Sequence, residues 1–160
     1  LVTEHIPNVK FIVAGGTRFD RMKIQNYITS GKIRRSIIFT GYLPGSEVPL
    51  LYSACDVFCY PSMWEGFGLT PAEAQASAKP VVAFNHCAIP EVVKNNETGI
   101  LVNPRDHKGL AEAIVKLLRD PDLRREMGEE GRRRVERLFN WDNVVDKTVE
   151  VYRQVTEARR

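Results

Sequence analysis

The chain has 160 residues, room for one compact unit at roughly 150 residues per domain. Hydrophobic residues at 43% and charged residues at 27% match ordinary soluble proteins, which excludes a disordered, collagenous or disulfide-stapled chain. A net charge of +3 is too small to signal nucleic acid, and apolar runs such as 11–14 and 80–84 fall far short of the ~20 residues that cross a bilayer.

Short β-branched or aromatic runs at 10–14, 37–39, 57–60, 81–83 and 99–102 alternate with helical patterns over about 19–29, 47–54, 71–78 and 90–93. This alternation predicts βαβ units on a parallel sheet flanked by helices, a Rossmann-like α/β fold. Several runs are apolar throughout, as strands covered on both faces require. From about residue 108 the pattern is helical only. Leu110, Ile114, Leu117 and Leu118 recur at helical spacing, and Asp120-Pro121-Asp122 restarts a helix through about Val135. A last helix follows Asn140, with Val144, Val145, Thr148, Val151 and Tyr152 on one face. These helices are expected to pack on the sheet as part of one domain, 1–160. Arg132, Arg133 and Arg134 are interleaved with Glu126, Glu129, Glu130 and Glu136, so they read as a solvated face laced with i,i+4 pairs.

The cysteines, Cys55, Cys59 and Cys87, are odd in number and lack zinc-site spacing, which points to free buried thiols in a reducing compartment. With no secretory signal peptide, the expected location is the cytoplasm. The opening Leu1-Val2-Thr3 in place of Met reads as the start of a piece of something longer.

Two segments could carry chemistry. In Val13-Ala14-Gly15-Gly16-Thr17 a strand runs into two glycines, where backbone amides can approach an anion, although such a turn can equally be a tight connection. The second segment is 61–73. There Thr70 reads as an N-cap, Pro71 as N1 and Glu73 as N3, which puts the amides of Phe67, Gly68 and Leu69 at the positive end of a helix dipole. Glu65, just before these amides, would accept hydrogen bonds from sugar hydroxyls. The plainer reading of Thr70 and Glu73 is a capping box that needs no ligand, and the spacing of Glu65 and Glu73 says nothing by itself. Trp64 reads as core before it reads as a stacking platform for a sugar. Cys55 and Cys59 likewise read as core.

Glu65-Gly66-Phe67-Gly68-Leu69, with Glu73-Ala74 and Lys79-Pro80-Val81-Val82-Ala83, resembles the signature of the family 4 retaining glycosyltransferases. Their motif is two glutamates with seven residues between them, in the donor-binding C-terminal half of a GT-B fold. The resemblance continues through Ile89-Pro90-Glu91-Val92-Val93, 98–104, Leu110-Ala111 and Phe139-Asn140-Trp141, and it covers nearly the whole chain. It implies that Glu73 binds the ribose hydroxyls of a nucleotide-sugar, UDP- or GDP-linked, and that Glu65 contacts the donor sugar. The amides of Phe67, Gly68 and Leu69 would meet sugar and pyrophosphate. Gly15 and Gly16 would line the phosphate side, and the loop with Gly41, Tyr42 and Leu43 the base. Transfer would proceed with retention and without a catalytic metal.

In that family an Arg and a Lys that neutralise the pyrophosphate precede the Gly-Gly turn, and the acceptor is held by an N-terminal half. This chain begins after both, so it is expected to lack the first strand-helix unit and to be inactive alone. His5, His86 and His107 therefore take no catalytic role. Where the family often has two glycines, this chain has His86-Cys87-Ala88. An epimerase or a glycan phosphorylase on GT-B halves is the enzyme alternative, the latter requiring a pyridoxal-phosphate lysine. A non-catalytic Rossmann-like binding or interaction module is the other. Peripheral contact with the inner membrane face stays open because lipid-linked acceptors occur in the family.

Overall fold

In a computed structural model, the described residues are 1–16, 22, 24, 25, 28 and 31–158. The elements run α1 (Val2–His5), β1 (Phe11–Ala14), α2 (Gly31–Ser36), β2 (Ile37–Gly41), α3 (Val48–Ala54), β3 (Phe58–Tyr60), α4 (Leu69–Ala76), β4 (Val81–Phe84), α5 (Ile89–Val92), β5 (Gly99–Val102), α6 (His107–Arg119), α7 (Pro121–Leu138) and α8 (Trp141–Glu157). The five expected strands are all present. The helix expected over about 19–29 lies, apart from Met22, Ile24, Gln25 and Ile28, outside the described residues, as does Thr17. Sequence patterning missed α1 and α2, both too short to show a period.

Every ladder is parallel: β1 pairs with β2, and β4 pairs with β3 on one side and β5 on the other. The expected single sheet is thus divided into a two-stranded and a three-stranded piece, with no ladder between β1 and β3 among the described residues. A shared core still joins the pieces, because Phe11 of β1 and Cys59 of β3 pack on the same cluster beneath α6.

The centre of the core is β4, whose residues alternate between two clusters. Val82 and Phe84 join Leu110, Ile114, Leu117 and Met127 of α6 and α7. Val81 and Ala83 face Tyr52, Ala72, Ala74, Ile89 and Val92. Period-two alternation with both faces apolar is what a central strand of a covered parallel sheet must have. Gly99 of β5 permits this closeness, since a Cβ there would lie 2.1 Å from the Val81 carbonyl oxygen.

The C-terminal helices start at side-chain caps. Asp106 accepts from the Gly109 amide at 2.8 Å, Asp120 from Leu123 at 3.0 Å and Asn140 from Asn143 at 2.8 Å. All three C-terminal helices were expected on the sheet; α6 and α7 lie against it, and Gly128 brings α7 so near α4 that a Cβ would sit 2.2 Å from the Ala78 carbonyl. α8 departs from that expectation, for none of its residues is buried and its apolar stripe faces outward. No helix among the described residues is long and apolar enough to cross a membrane.

Candidate functional site

The candidate residues lie where strands end. β1 stops at Gly15 and Gly16, with φ of 77° and 75°, and β2 stops at Gly41, with φ of 71°. These left-handed conformations favour glycine. The Gly15 amide donates to the Gly41 carbonyl at 2.8 Å, which ties the two turns together. Among the described residues, a Cβ on Gly15 or Gly41 would meet nothing within 4 Å. Tyr42 stands 84% exposed beside it, and Leu43 is half-buried.

β3 leads into 61–68, which enters α4 through Gly68 at φ 102°. Gly68 is therefore the N-cap and Thr70 is not. Thr70 is the second helical residue, Pro71 the third and Glu73 the fifth, so the expected capping box does not form and no side chain caps α4. The physical reason is the turn: only glycine accepts this φ readily, and beginning the helix there buries Pro71 and brings Gly68 against Ile89 and Val92. The first-turn amides of Leu69 and Thr70 are left without a side-chain cap at the positive end of the dipole. Glu73, released from capping, is exposed and takes a different partner.

That partner is Tyr52 of α3, whose hydroxyl donates to Glu73 Oε2 at 2.9 Å. Glu65 has a matching donor in the Tyr60 hydroxyl at the end of β3. Phe58 lies between the two tyrosines. Its ring meets Tyr52 edge-on, with centroids 5.5 Å apart, and stacks on Tyr60 at 6.0 Å. The Tyr60 bond holds the Glu65 carboxyl below its ordinary range against an opposing desolvation, and the amides of Phe67, Gly68 and Gly66 pull the same way. Burial first, and then the bond to Glu73, pushes the Tyr52 hydroxyl well above the tyrosine range. Tyr60 is raised first by its bond to Glu65. At neutral pH Glu65 is thus an ionised acceptor, and both tyrosines are protonated donors.

The structure sorts the expected site residues into two groups. Gly15, Gly16, Tyr42 and Leu43 border one ledge, while Glu65, Phe67, Gly68, Leu69 and Glu73 share one loop and helix start. Among the described residues no hydrogen bond joins the groups. Tyr52 and Tyr60 went unnoticed in the sequence, because no periodic signal links Tyr52 to a glutamate 21 positions away.

Three other expectations are corrected here. Trp64 is 87% exposed rather than core, since its loop runs over the surface. Cys87 is an exposed thiol, at φ 50° in the His86-Cys87-Ala88 turn, with Sγ 3.8 Å from the Met63 carbonyl. Cys55 and Cys59 are half-buried, and burial lifts the Cys59 thiol to about 11. Arg132 and Arg133 pair with Glu136 and Glu130, but Arg134 turns inward to carbonyls of α5. No group of three or more His, Cys, Asp or Glu side chains that could hold a metal converges among the described residues.

Residues 1–134 match the family described as glycosyl transferases group 1. Alpha-maltose-1-phosphate synthase of Mycolicibacterium smegmatis is 35% identical over 162 residues, covering 94% of this chain and 42% of that protein. Sucrose-phosphate synthase from Thermosynechococcus elongatus superposes with a TM-score of 0.87 at 32% identity, over 98% of this chain and 41% of that one. The C-terminal domain of the glycosyl transferase group 1 family protein LpcC from Francisella tularensis superposes with a TM-score of 0.78 at 28% identity, over 88% and 74%. The chain thus spans about two fifths of the curated relatives it matches. The match to the family over most of its length, with a parallel α/β fold that superposes on GT-B enzymes, establishes that this chain belongs to the glycosyl transferases group 1 family.

Proposed function

We propose that the chain is the nucleotide-sugar-binding half of a retaining hexosyltransferase that takes a UDP- or GDP-sugar. The observation that carries the reading is the pair of exposed-edge carboxylates, Glu65 and Glu73, each held by a tyrosine hydroxyl on either side of an uncapped helix start. An ionised carboxylate accepts from vicinal hydroxyls, and uncapped first-turn amides accept an anion. Sugar, diphosphate and ribose present those groups in series. In this reading Glu73 takes the ribose, Glu65 the transferred sugar, and the uncapped Leu69 amide the charge between them, while the amides of Phe67 and Gly68 hold Glu65. Gly15 and Gly16 line the phosphate side, and Tyr42 and Leu43 border the base.

As the sugar leaves, negative charge grows on the nucleoside diphosphate, and fixed amide dipoles stabilise it without reorganising. No divalent metal is then required for that task. The acceptor is held by a further domain of a longer enzyme, and the two named synthases, each making a sugar phosphate, support a glycan-building role. Metal-free calorimetric titration with UDP, GDP, ADP and their sugar conjugates tests the reading, with Glu73→Ala in parallel. Binding of one nucleotide, weakened at least tenfold in a Glu73→Ala variant that stays folded, is the expected result. Affinity indifferent to Glu73 overturns its role, and no binding by any of them removes the reading.

A further inference from the structure

We infer that Tyr52 and Tyr60 are positioning residues for the two glutamates, and that with Phe58 between them they form a three-ring bridge that fixes how far apart the two carboxylates are presented. The assignment of ligand groups to Glu65 and Glu73 rests on the function proposed above, whereas the bridge itself rests on geometry alone.

Glu73 lies on the exposed side of α4, and Glu65 sits in an irregular loop where the Tyr60 hydroxyl acts on its carboxylate more strongly than the loop's own amides, so neither carboxylate is oriented by regular structure. A glutamate side chain has several rotatable bonds, and holding it in one geometry costs rotamer freedom. A charge-assisted bond from a fixed donor removes that cost before a ligand arrives. Both donors are fixed. Tyr52 is buried in the cluster with Ala72, Ala74 and Ile89, and Tyr60 belongs to β3, paired with Ala83. Each has one hydroxyl, and in both cases it points at a glutamate.

Phe58 turns two separate contacts into one device. It is two residues before Tyr60 on the same face of β3, which is why the two rings stack, and its edge contact with Tyr52 ties α3 to that strand. The ends of the bridge are the two hydroxyls and the carboxylates they hold. Moving either ring therefore moves one glutamate relative to the other. Tyr52 serves the ribose end and Tyr60 the sugar end, so the two tyrosines should be separable by the ligand used.

The test is calorimetric titration of the protein with a nucleoside diphosphate and with its sugar conjugate, for wild type, Tyr52→Phe and Tyr60→Phe. Loss of a hydrogen bond to a charged group corresponds to about a tenfold change in affinity. Tyr52→Phe is expected to weaken both ligands by about tenfold, and Tyr60→Phe to weaken the conjugate alone. In a Glu73→Ala background Tyr52→Phe should cause no further loss, because it acts through Glu73. Equal weakening of both ligands by Tyr60→Phe, or full additivity in the double variant, overturns the inference. A ligand-free readout separates this inference from the function. In a carboxyl-labelled protein followed by NMR, Tyr60→Phe should raise the Glu65 pKa, and an unchanged titration overturns the bridge whether or not any nucleotide binds. Thermal unfolding of each variant checks that the fold is kept, and Tyr60→Phe, half-buried at a strand end, carries the test if Tyr52→Phe does not fold.

Discussion

Phe139, just past the end of α7, meets Phe67 of the candidate loop edge to face, with ring centroids 5.3 Å apart and planes at 84°. The loop whose amides face Glu65 is thereby braced from behind by a residue 72 positions later in the chain. Phe139→Ala should cost about 2 kcal/mol, less than a fully buried phenylalanine because the ring is half-buried. Urea unfolding measures that cost. The sugar conjugate should also bind more weakly, since the loop is no longer held.

Arg134 reinforces the same corner. Its Nη2 donates to the Glu91 carbonyl at 2.8 Å and its Nε to the Val92 carbonyl at 3.2 Å, while the guanidinium lies 6.0 Å over the Phe139 ring. These carbonyls end α5, where a cation is favoured. Lysine has no planar fork to serve two carbonyls and a ring at once. Arg134→Lys should therefore lose about 1–2 kcal/mol of stability, close to the loss in Arg134→Ala. A midpoint for Arg134→Lys equal to wild type in denaturant unfolding would remove this account.

Gly68 and Gly128 are intolerant of a side chain for different reasons. At Gly68 an added Cβ has room, 3.4 Å from Ile89 Cδ1, and the strain is the φ of 102°. Gly68→Ala should cost about 1–3 kcal/mol, and the displaced helix start should lower nucleotide affinity. At Gly128 the objection is the Ala78 carbonyl, 2.2 Å from the new Cβ, so α7 must move off α4. Gly128→Ala is expected to be the worse of the two in thermal unfolding, because rigid backbone cannot yield as a side chain can.

The pH dependence has two branches. The Glu65 carboxyl sits below its ordinary 4.5, first through Tyr60 and then through the neighbouring amides, so the unfolded chain binds its proton more readily. Its contribution is present above that value and is lost as pH falls through the lower, folded value. The Tyr52 hydroxyl is raised above its ordinary 10.0 by burial and by Glu73, so its contribution is present below pH 10.0 and fades as pH climbs from there toward the raised value. Unfolding midpoints across pH should show that Tyr52→Phe shrinks the alkaline decline and leaves the acid one, whereas Tyr60→Phe alters both, because its own hydroxyl is raised by Glu65. A single curve for all three proteins would contradict both assignments.

On α8, Val145, Val151 and Tyr152 are each more than half exposed. Val145→Asp and Val151→Asp should change stability by less than about 0.5 kcal/mol. Leu117→Ala, at a position with no exposed surface, should cost about 2–5 kcal/mol. Parallel denaturant unfolding of the three variants checks the contrast.

The strands, the helix starts at Asp120 and Asn140, and the glycine turn at Gly15 and Gly16 were legible in the sequence because each is a local choice. An apolar run, a capping side chain or a residue suited to positive φ acts over a few neighbouring positions. The motif around Glu65 and Glu73 was legible for the same reason, as one stretch of chain. What Glu73 does was not. Thr70 and Glu73 satisfy the capping-box pattern, yet the start of α4 was decided by how Gly68 packs on Ile89 and Val92, contacts more than twenty positions away.

The tyrosine donors to Glu65 and Glu73, the inward turn of Arg134, the exposure of Trp64 and the unpacked stripe of α8 belong to the same class. Hydrophobic periodicity tells a helix which face to bury but not what will cover it, so the apolar stripe of α8 is plain in the sequence while its lack of cover among the described residues is not. Local sequence determined the elements and the chemistry available at their ends. Tertiary packing decided which hydroxyl meets which carboxylate, because that depends on distances between segments that no spacing along the chain encodes.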